Sequence, residues 1–254
     1  MVYKEDVLMN EDNNSQLSIS NLSFEYKKKI KVLNNISIAL GKGELVVIAG
    51  PNGCGKTTLM KLIFDLLEIQ EGKIKINGLD SKKIESKKDA MYLPSDNVLP
   101  DFLTGNEYVR LMCKMYDFQY DKTLLKKLIG YYSLEKHIDS LIESYSHGMV
   151  KKIQLIAAFL IQPNLIIIDE TLNGIDLEAK EVSKILIKKI VKKGKTVLMC
   201  THDLELAEEI GERAILMYKG EVHKDIIIND IKNKTNLTSI FKKIINFEDS
   251  AYEI

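Results

Sequence analysis

Apolar and polar residues alternate with a period of two from Leu17 to Phe24, and less strictly from Val32 to Leu40. That period places one strand face in a core and the other in solvent, so the two segments predict a small antiparallel sheet. Ile74-Lys75-Ile76 and its Asn77-Gly78 turn add a further strand. Four other runs are apolar with little alternation: Leu45 to Ala49, Leu165 to Ile168, Thr196 to Cys200 and Ala214 to Tyr218. Runs of this kind suit buried strands of an α/β sheet. Helical spacing follows several of them, in Leu59-Met60-Leu62-Ile63, in Val150-Ile153-Ile156-Ala157-Leu160 and in Val182-Ile185-Leu186-Ile190. Between Pro94 and Tyr145 the pattern changes. Tyr108, Val109, Leu111, Met112 and Met115, then Leu124, Leu125, Leu128 and Ile129, keep helical register without an intervening strand, so a helical region is inserted over about residues 94–160. The main unit covers 17–220, and 221–254 forms a tail in which Leu237, Ile240, Phe241, Ile244 and Ile245 mark an amphipathic helix. No internal repeat or low-complexity linker interrupts the chain.

Composition narrows the class. With 254 residues and 45% hydrophobic content the chain can bury a proper core. Lys+Arg and Asp+Glu both number 36, which leaves no global field to attract nucleic acid or anionic lipid, and Arg110 and Arg213 are the only arginines. Nucleic acid is not an expected partner. Cys54, Cys113 and Cys200 lack metal or disulfide spacing, which fits a reducing cytoplasm. Residues 1–16 are acidic and polar with no apolar signal core, and no segment reaches the roughly 18 consecutive apolar residues that span a bilayer.

The candidate chemistry centres on Gly50-Pro51-Asn52-Gly53-Cys54-Gly55-Lys56-Thr57-Thr58, which matches the phosphate-loop pattern at every fixed position, after an apolar strand and before a helix. Its glycines let successive N–H groups wrap an anion at a helix N-terminus, Lys56 reaches the β- and γ-phosphates, and the Thr57 hydroxyl ligates Mg²⁺. Asp169 and Glu170 end a buried strand. In a phosphate-loop protein the Asp holds Mg²⁺ and the Glu orients the attacking water. His202 ends another strand, at the sheet edge where open α/β sheets bind ligands. Ser146 and Gly148 open a helix whose N-terminus can face a phosphate. Tyr26, in a lysine-rich turn, is an aromatic available to stack on an adenine ring.

In this order the motifs resemble those of an ATP-binding cassette protein, the nucleotide-binding subunit of ABC transporters. The resemblance covers about Leu17 to Gly220. It implies a RecA-like α/β P-loop core with an antiparallel β subdomain and an inserted helical subdomain, ATP and Mg²⁺ as ligands, and ATP hydrolysis coupled to transport. Tyr26 then matches the adenine-stacking aromatic, Tyr145 to Met149 the signature, Asn173 to Asp176 the D-loop and His202 the switch histidine. Ser146, His147, Gly148 and Asp176 join the nucleotide-contacting set when two cassettes close head to tail as a homodimer. The signature reads Tyr145-Ser146-His147-Gly148-Met149, a form similar to the branch serving ABC-2-type exporters, including peptide and antibiotic export. Ser95 stands where the family has Gln, and Thr171 where Pro is usual after the catalytic Glu. The expected partner is a polytopic permease, reached from the cytoplasmic face of the cell membrane through Tyr92, Phe102, Leu103, Met112, Met115 and Tyr116. The rival expectation is a soluble cassette ATPase acting as an assembly or regulatory clamp.

Overall fold

The computed structural model describes residues 15–27, 30–96 and 98–246. Expectations about the acidic first residues, and about the end of the tail beyond residue 246, lie outside them, as does part of the lysine-rich turn after Tyr26. Strands β1 (Ser15–Lys27) and β2 (Ile30–Gly41) precede β3 (Leu45–Ala49), which runs through the glycine-rich loop into α1 (Lys56–Ile63). Then come β4 (Glu71–Ile76), β5 (Leu79–Asp80), α2 (Ile84–Lys87) and β6 (Ala90–Leu93). The helical region contributes α3 (Gly105–Met115), α4 (Lys122–Tyr131), a single 3₁₀ turn at Ile142–Ser144 and α5 (His147–Ile161). The chain returns through β7 (Leu165–Asp169), α6 (Leu177–Lys192), β8 (Thr196–Thr201) and α7 (Leu204–Ile210). It continues with β9 (Arg213–Tyr218), β10 (Glu221–Ile227), α8 (Ile228–Ile231) and α9 (Leu237–Ile244).

Two sheets result. The alternating segments form an antiparallel sheet in the order β2-β1-β4-β5, and the apolar runs form a six-stranded sheet in the order β10-β9-β3-β8-β7-β6. In the latter, β9, β3, β8, β7 and β6 pair in parallel and β10 closes the edge antiparallel to β9. The parallel strands read as continuous apolar runs because both their faces are covered. Val46 and Ile48 pack into a core shared with α1 and the antiparallel sheet, whereas Leu45, Val47 and Ala49 pack into a second core with α5 and the helical region. The same alternation divides Leu165 and Ile167 from Ile166 and Ile168 on β7. The sheet is thus a wall between two cores. Each fully buried Leu, Ile or Val stabilises the fold by about 1.5–3 kcal/mol relative to exposure.

Local signals place the helix ends. Thr104 and Glu107 form a capping box at α3, Asp121 caps α4, Ser146 caps α5 and Asp176 caps α6. Helix α5 stops at Gln162, which takes a left-handed conformation with φ 51° just before Pro163. One expected boundary is corrected. Residue 220 lies in the turn of a hairpin whose second strand, β10, completes the main sheet, so 221–227 belongs to the core architecture and not to a separate tail. Four of the seven β10 side chains are polar, which is why no apolar run marks it, as befits an edge strand with a solvated face. Beyond it, Leu237 on α9 is buried, and Ile240, Phe241 and Ile244 pack against the second core as the amphipathic stripe predicts.

Candidate active site

Parallel pairing brings the carboxyl ends of β3, β7 and β8 together, and the three marked segments start there. Each departs from regular structure in a way its residue permits. A Cβ on Gly50 would lie 2.2 Å from the Met217 carbonyl oxygen of β9, so only glycine lets the loop leave β3 there. Gly55, at φ 106°, is the N-cap of α1, and the helix therefore begins at Lys56 with its free N–H groups facing the loop.

Lys56 is buried, and its ammonium donates to the Gly50 carbonyl at 2.9 Å and the Pro51 carbonyl at 3.1 Å. It also pairs with Glu170 Oε1 at 3.5 Å. Glu170 follows β7 in a left-handed conformation (φ 52°), its N–H donating to the Cys200 carbonyl at 3.1 Å. A non-glycine residue held there stores about 1–3 kcal/mol of strain, and the result is a carboxylate turned off the strand axis toward the loop. His202, about half exposed, places Nδ1 3.3 Å from the same Glu170 Oε1. One carboxylate oxygen is therefore shared by a lysine from α1 and a histidine from the end of β8.

Asp169 is buried completely. Burial raises its carboxyl above the usual range, opposed by the Thr57 and Tyr92 hydroxyls and by Lys56. Tyr92 donates to Oδ2 at 3.2 Å, while Oδ1 has no hydrogen-bond partner among the described residues. A buried, unpartnered carboxylate oxygen near a threonine hydroxyl is a donor set for a hard cation such as Mg²⁺. Thr171 uses its hydroxyl to tie the strands, donating to the Leu93 carbonyl at 3.2 Å. Tyr26 stands exposed at the end of β1, edge-on to Phe24, with its hydroxyl 3.3 Å from Thr58 Oγ1 at the start of α1.

The signature segment gathers elsewhere. Ser146 and His147 are exposed at the tip of α5, with Ser146 accepting from Met149 N–H at 3.3 Å. Gly148 packs against Gly174, whose carbonyl oxygen would lie 3.1 Å from a Cβ there. The Lys151 ammonium donates to the Asn173 carbonyl, and Lys152 pairs with Asp176 at 2.5 Å. Asp176 also accepts from Ala179 N–H at 3.0 Å, so within one chain it caps a helix and straps α5 to α6. Ser95 lies in the loop after β6, and its hydroxyl makes no hydrogen bond among the described residues.

Sequence reasoning missed Tyr92 in this role. It was expected on a docking surface and instead stacks on Phe64 and turns inward to Asp169. The available signal was its place on a strand directly beside the strand that ends in Asp-Glu. Tyr116 is likewise turned inward, donating to the Ala90 carbonyl at 2.8 Å, and Leu103 and Met112 are partly buried against the core. Phe102 and Met115 remain exposed. No helix among the described residues is long and apolar enough to cross a membrane.

Comparison with known proteins agrees with this geometry. The family model described as ABC transporter matches residues 33–173. A putative ABC transporter ATP-binding protein of Pyrococcus furiosus is 30% identical, with 86% of this chain and 85% of that protein covered. A putative ABC transporter ATP-binding protein of Clostridium tetani is 27% identical over 94% of this chain, which spans only 56% of that relative's length. The choline transport ATP-binding protein OpuBA of Bacillus subtilis is 29% identical, covering 81% of this chain and 56% of that protein. Among solved structures, an ATP-binding subunit of an ABC transporter superposes with a TM-score of 0.83 at 28% identity, covering 91% of this chain and all of the other. An ATP-binding cassette solved as a dimer in a post-hydrolysis state with ADP and Pi gives 0.74 at 25% identity, covering 84% and 98%.

Proposed function

This chain belongs to the ABC transporter family as an ATP-binding cassette ATPase domain, and on that premise we propose that it hydrolyses ATP to drive a separate membrane-spanning permease. The observation that carries the proposal is the Lys56–Glu170–His202 cluster beside the unpartnered Asp169 Oδ1. The loop from Gly50 to Thr58 wraps the triphosphate, Lys56 neutralises its terminal charge, and Tyr26 stacks on the base. Thr57 and Asp169 would hold Mg²⁺, which would offset the negative charge developing on the phosphates. Glu170 accepts a proton from the attacking water, and its off-axis conformation aims it at the space before Lys56. His202, with Nδ1 3.3 Å from Glu170 Oε1, orients that carboxylate.

Two copies close around two nucleotides, each offering the N-terminus of α5 at Ser146 to Gly148 to the phosphates held by the other. The dimeric ADP- and Pi-bound neighbour supports this reading. Binding drives closure because the Ser146 contacts exist only in the closed state. The permease docks at the exposed Phe102 and Met115, which holds the protein on the cytoplasmic face of the membrane. Export by an ABC-2-type system, of a peptide or antibiotic, is the finer reading, supported by the Tyr145 to Met149 form of the signature. Co-expression with candidate polytopic permeases tests it: with the right one ATPase activity and membrane recruitment should rise together, and Phe102→Asp should abolish recruitment. Vesicles that accumulate no substrate in either direction would contradict the transport role.

A further inference from the structure

Tyr92 is the residue in the site that the phosphate-loop, signature and strand-end motifs leave unexplained. It sits on β6 opposite Ile167 of β7, in the register that ends two residues later at Asp169. Its ring stacks on Phe64 just after α1, with centroids 5.4 Å apart and 25° between planes. Strand pairing fixes its backbone and Phe64 fixes its ring, so the hydroxyl has little freedom where it donates to Asp169 Oδ2 at 3.2 Å. The other carboxylate oxygen, Oδ1, is buried and has no partner among the described residues.

The terminal torsion of an aspartate is broad, so nothing in the side chain itself decides which oxygen faces the phosphate loop. A donor clamped on one oxygen does decide it. We propose that Tyr92 is a positioning residue for the divalent cation: by holding Oδ2 it keeps Oδ1 presented to the Mg²⁺ that Asp169 shares with Thr57. The proposal rests on the ATP-site reading above and deepens it. Outer groups that hold a ligating side chain typically alter metal affinity by about 10–100-fold when removed.

Tyr92→Phe removes one oxygen and keeps the ring, its volume and its stack. Binding of a fluorescent ATP analogue to the full chain is measured in EDTA and across a Mg²⁺ titration, and Mn²⁺ occupancy is followed by electron paramagnetic resonance. The expected result is an affinity in EDTA within about twofold of the parent protein, with the Mg²⁺ and Mn²⁺ concentrations for half-saturation raised about tenfold or more. Phe64→Leu, which leaves the hydroxyl but frees the ring, should raise them by a smaller factor, and it carries the test if Tyr92→Phe unfolds in a circular dichroism melt. Unchanged half-saturation in the variant that folds would overturn the proposal, as would an equal loss of affinity with and without the metal. If the parent protein binds no nucleotide in either condition, the ATP-site reading itself falls, a result distinct from a normal parent with an indifferent variant.

Discussion

The carboxyl end of β7 and the tip of α5 are joined by the same helix–strand unit, yet they are furnished in opposite ways. At β7, Asp169 and Glu170 meet Lys56, Tyr92 and His202 from the neighbouring elements at 3.2–3.5 Å, so each carboxylate faces a donor supplied by the same chain. At α5, Ser146 accepts from Met149 of its own helix and stands exposed, while Lys151 and Lys152 behind it are turned to the 173–176 turn. The first region is a cluster drawn entirely from one chain. The second is an exposed helix end whose neighbours in its own chain belong to the 173–176 turn. Both are connected through the turn that starts at Glu170, whose carbonyl accepts from Asn173 N–H at 2.9 Å.

If that contrast is right, breaking the first region should abolish function in a single molecule. Lys56→Ala removes the buried cation that faces Glu170 and the phosphates, and should weaken MgATP binding by about 2 kcal/mol or more, at least about 30-fold by equilibrium titration. Glu170→Gln keeps the size of the side chain and removes its basicity. Steady-state hydrolysis should fall by about 100-fold or more while nucleotide affinity is retained, and His202→Ala should lose hydrolysis in the same assay. Parent-like turnover in Glu170→Gln would remove the carboxylate from its role.

The second region should respond only when two molecules meet. Ser146→Asp preserves the cap, because aspartate is as good a capping residue as serine, but it sets a negative charge at the surface offered to the partner's phosphates. ATP affinity measured in dilute protein should stay within about twofold, while hydrolysis that depends on protein concentration should drop by about 10-fold or more. An equal loss in both assays would mean that the helix tip acts within its own chain. Smallest of all is Asp176→Ala, which removes the α6 cap and should cost about 1 kcal/mol, lowering the melting temperature by roughly 2–4 °C. Lys152 and the Ala179 N–H hold the Asp176 carboxyl below the usual carboxylate range. Its contribution is therefore present at neutral pH and lost as pH falls below about 4, through the depressed folded value, so the gap between parent and Asp176→Ala should close in acid.

Much of this was legible in the sequence because the relevant signals are local. The phosphate loop needs glycines at fixed spacing, and strands covered on both faces must be apolar throughout, so β3, β7 and β8 and the residues ending them were readable in order. What escaped depends on three-dimensional neighbours. Tyr92 reads as one more aromatic until β6 is known to lie beside β7, and its inward turn follows from that pairing. The left-handed Glu170 gives no composition signal, since strain of that kind is imposed by the surrounding sheet. β10 was invisible because an edge strand with a wet face has no need of an apolar run. The exposed Met115 could not be told from the half-buried Met112 by helical spacing, which reports a period and not what lies against it.

Light scattering of the Glu170→Gln protein with and without MgATP asks directly whether the outward-facing α5 tip is completed by a second copy. With hydrolysis blocked, saturating MgATP should convert the protein to particles of twice the monomer mass, and ADP or the additional change Ser146→Asp should return it to monomer. A protein that binds MgATP to saturation, shown in the same sample by equilibrium titration, and stays monomeric across the concentration range would contradict the head-to-tail site.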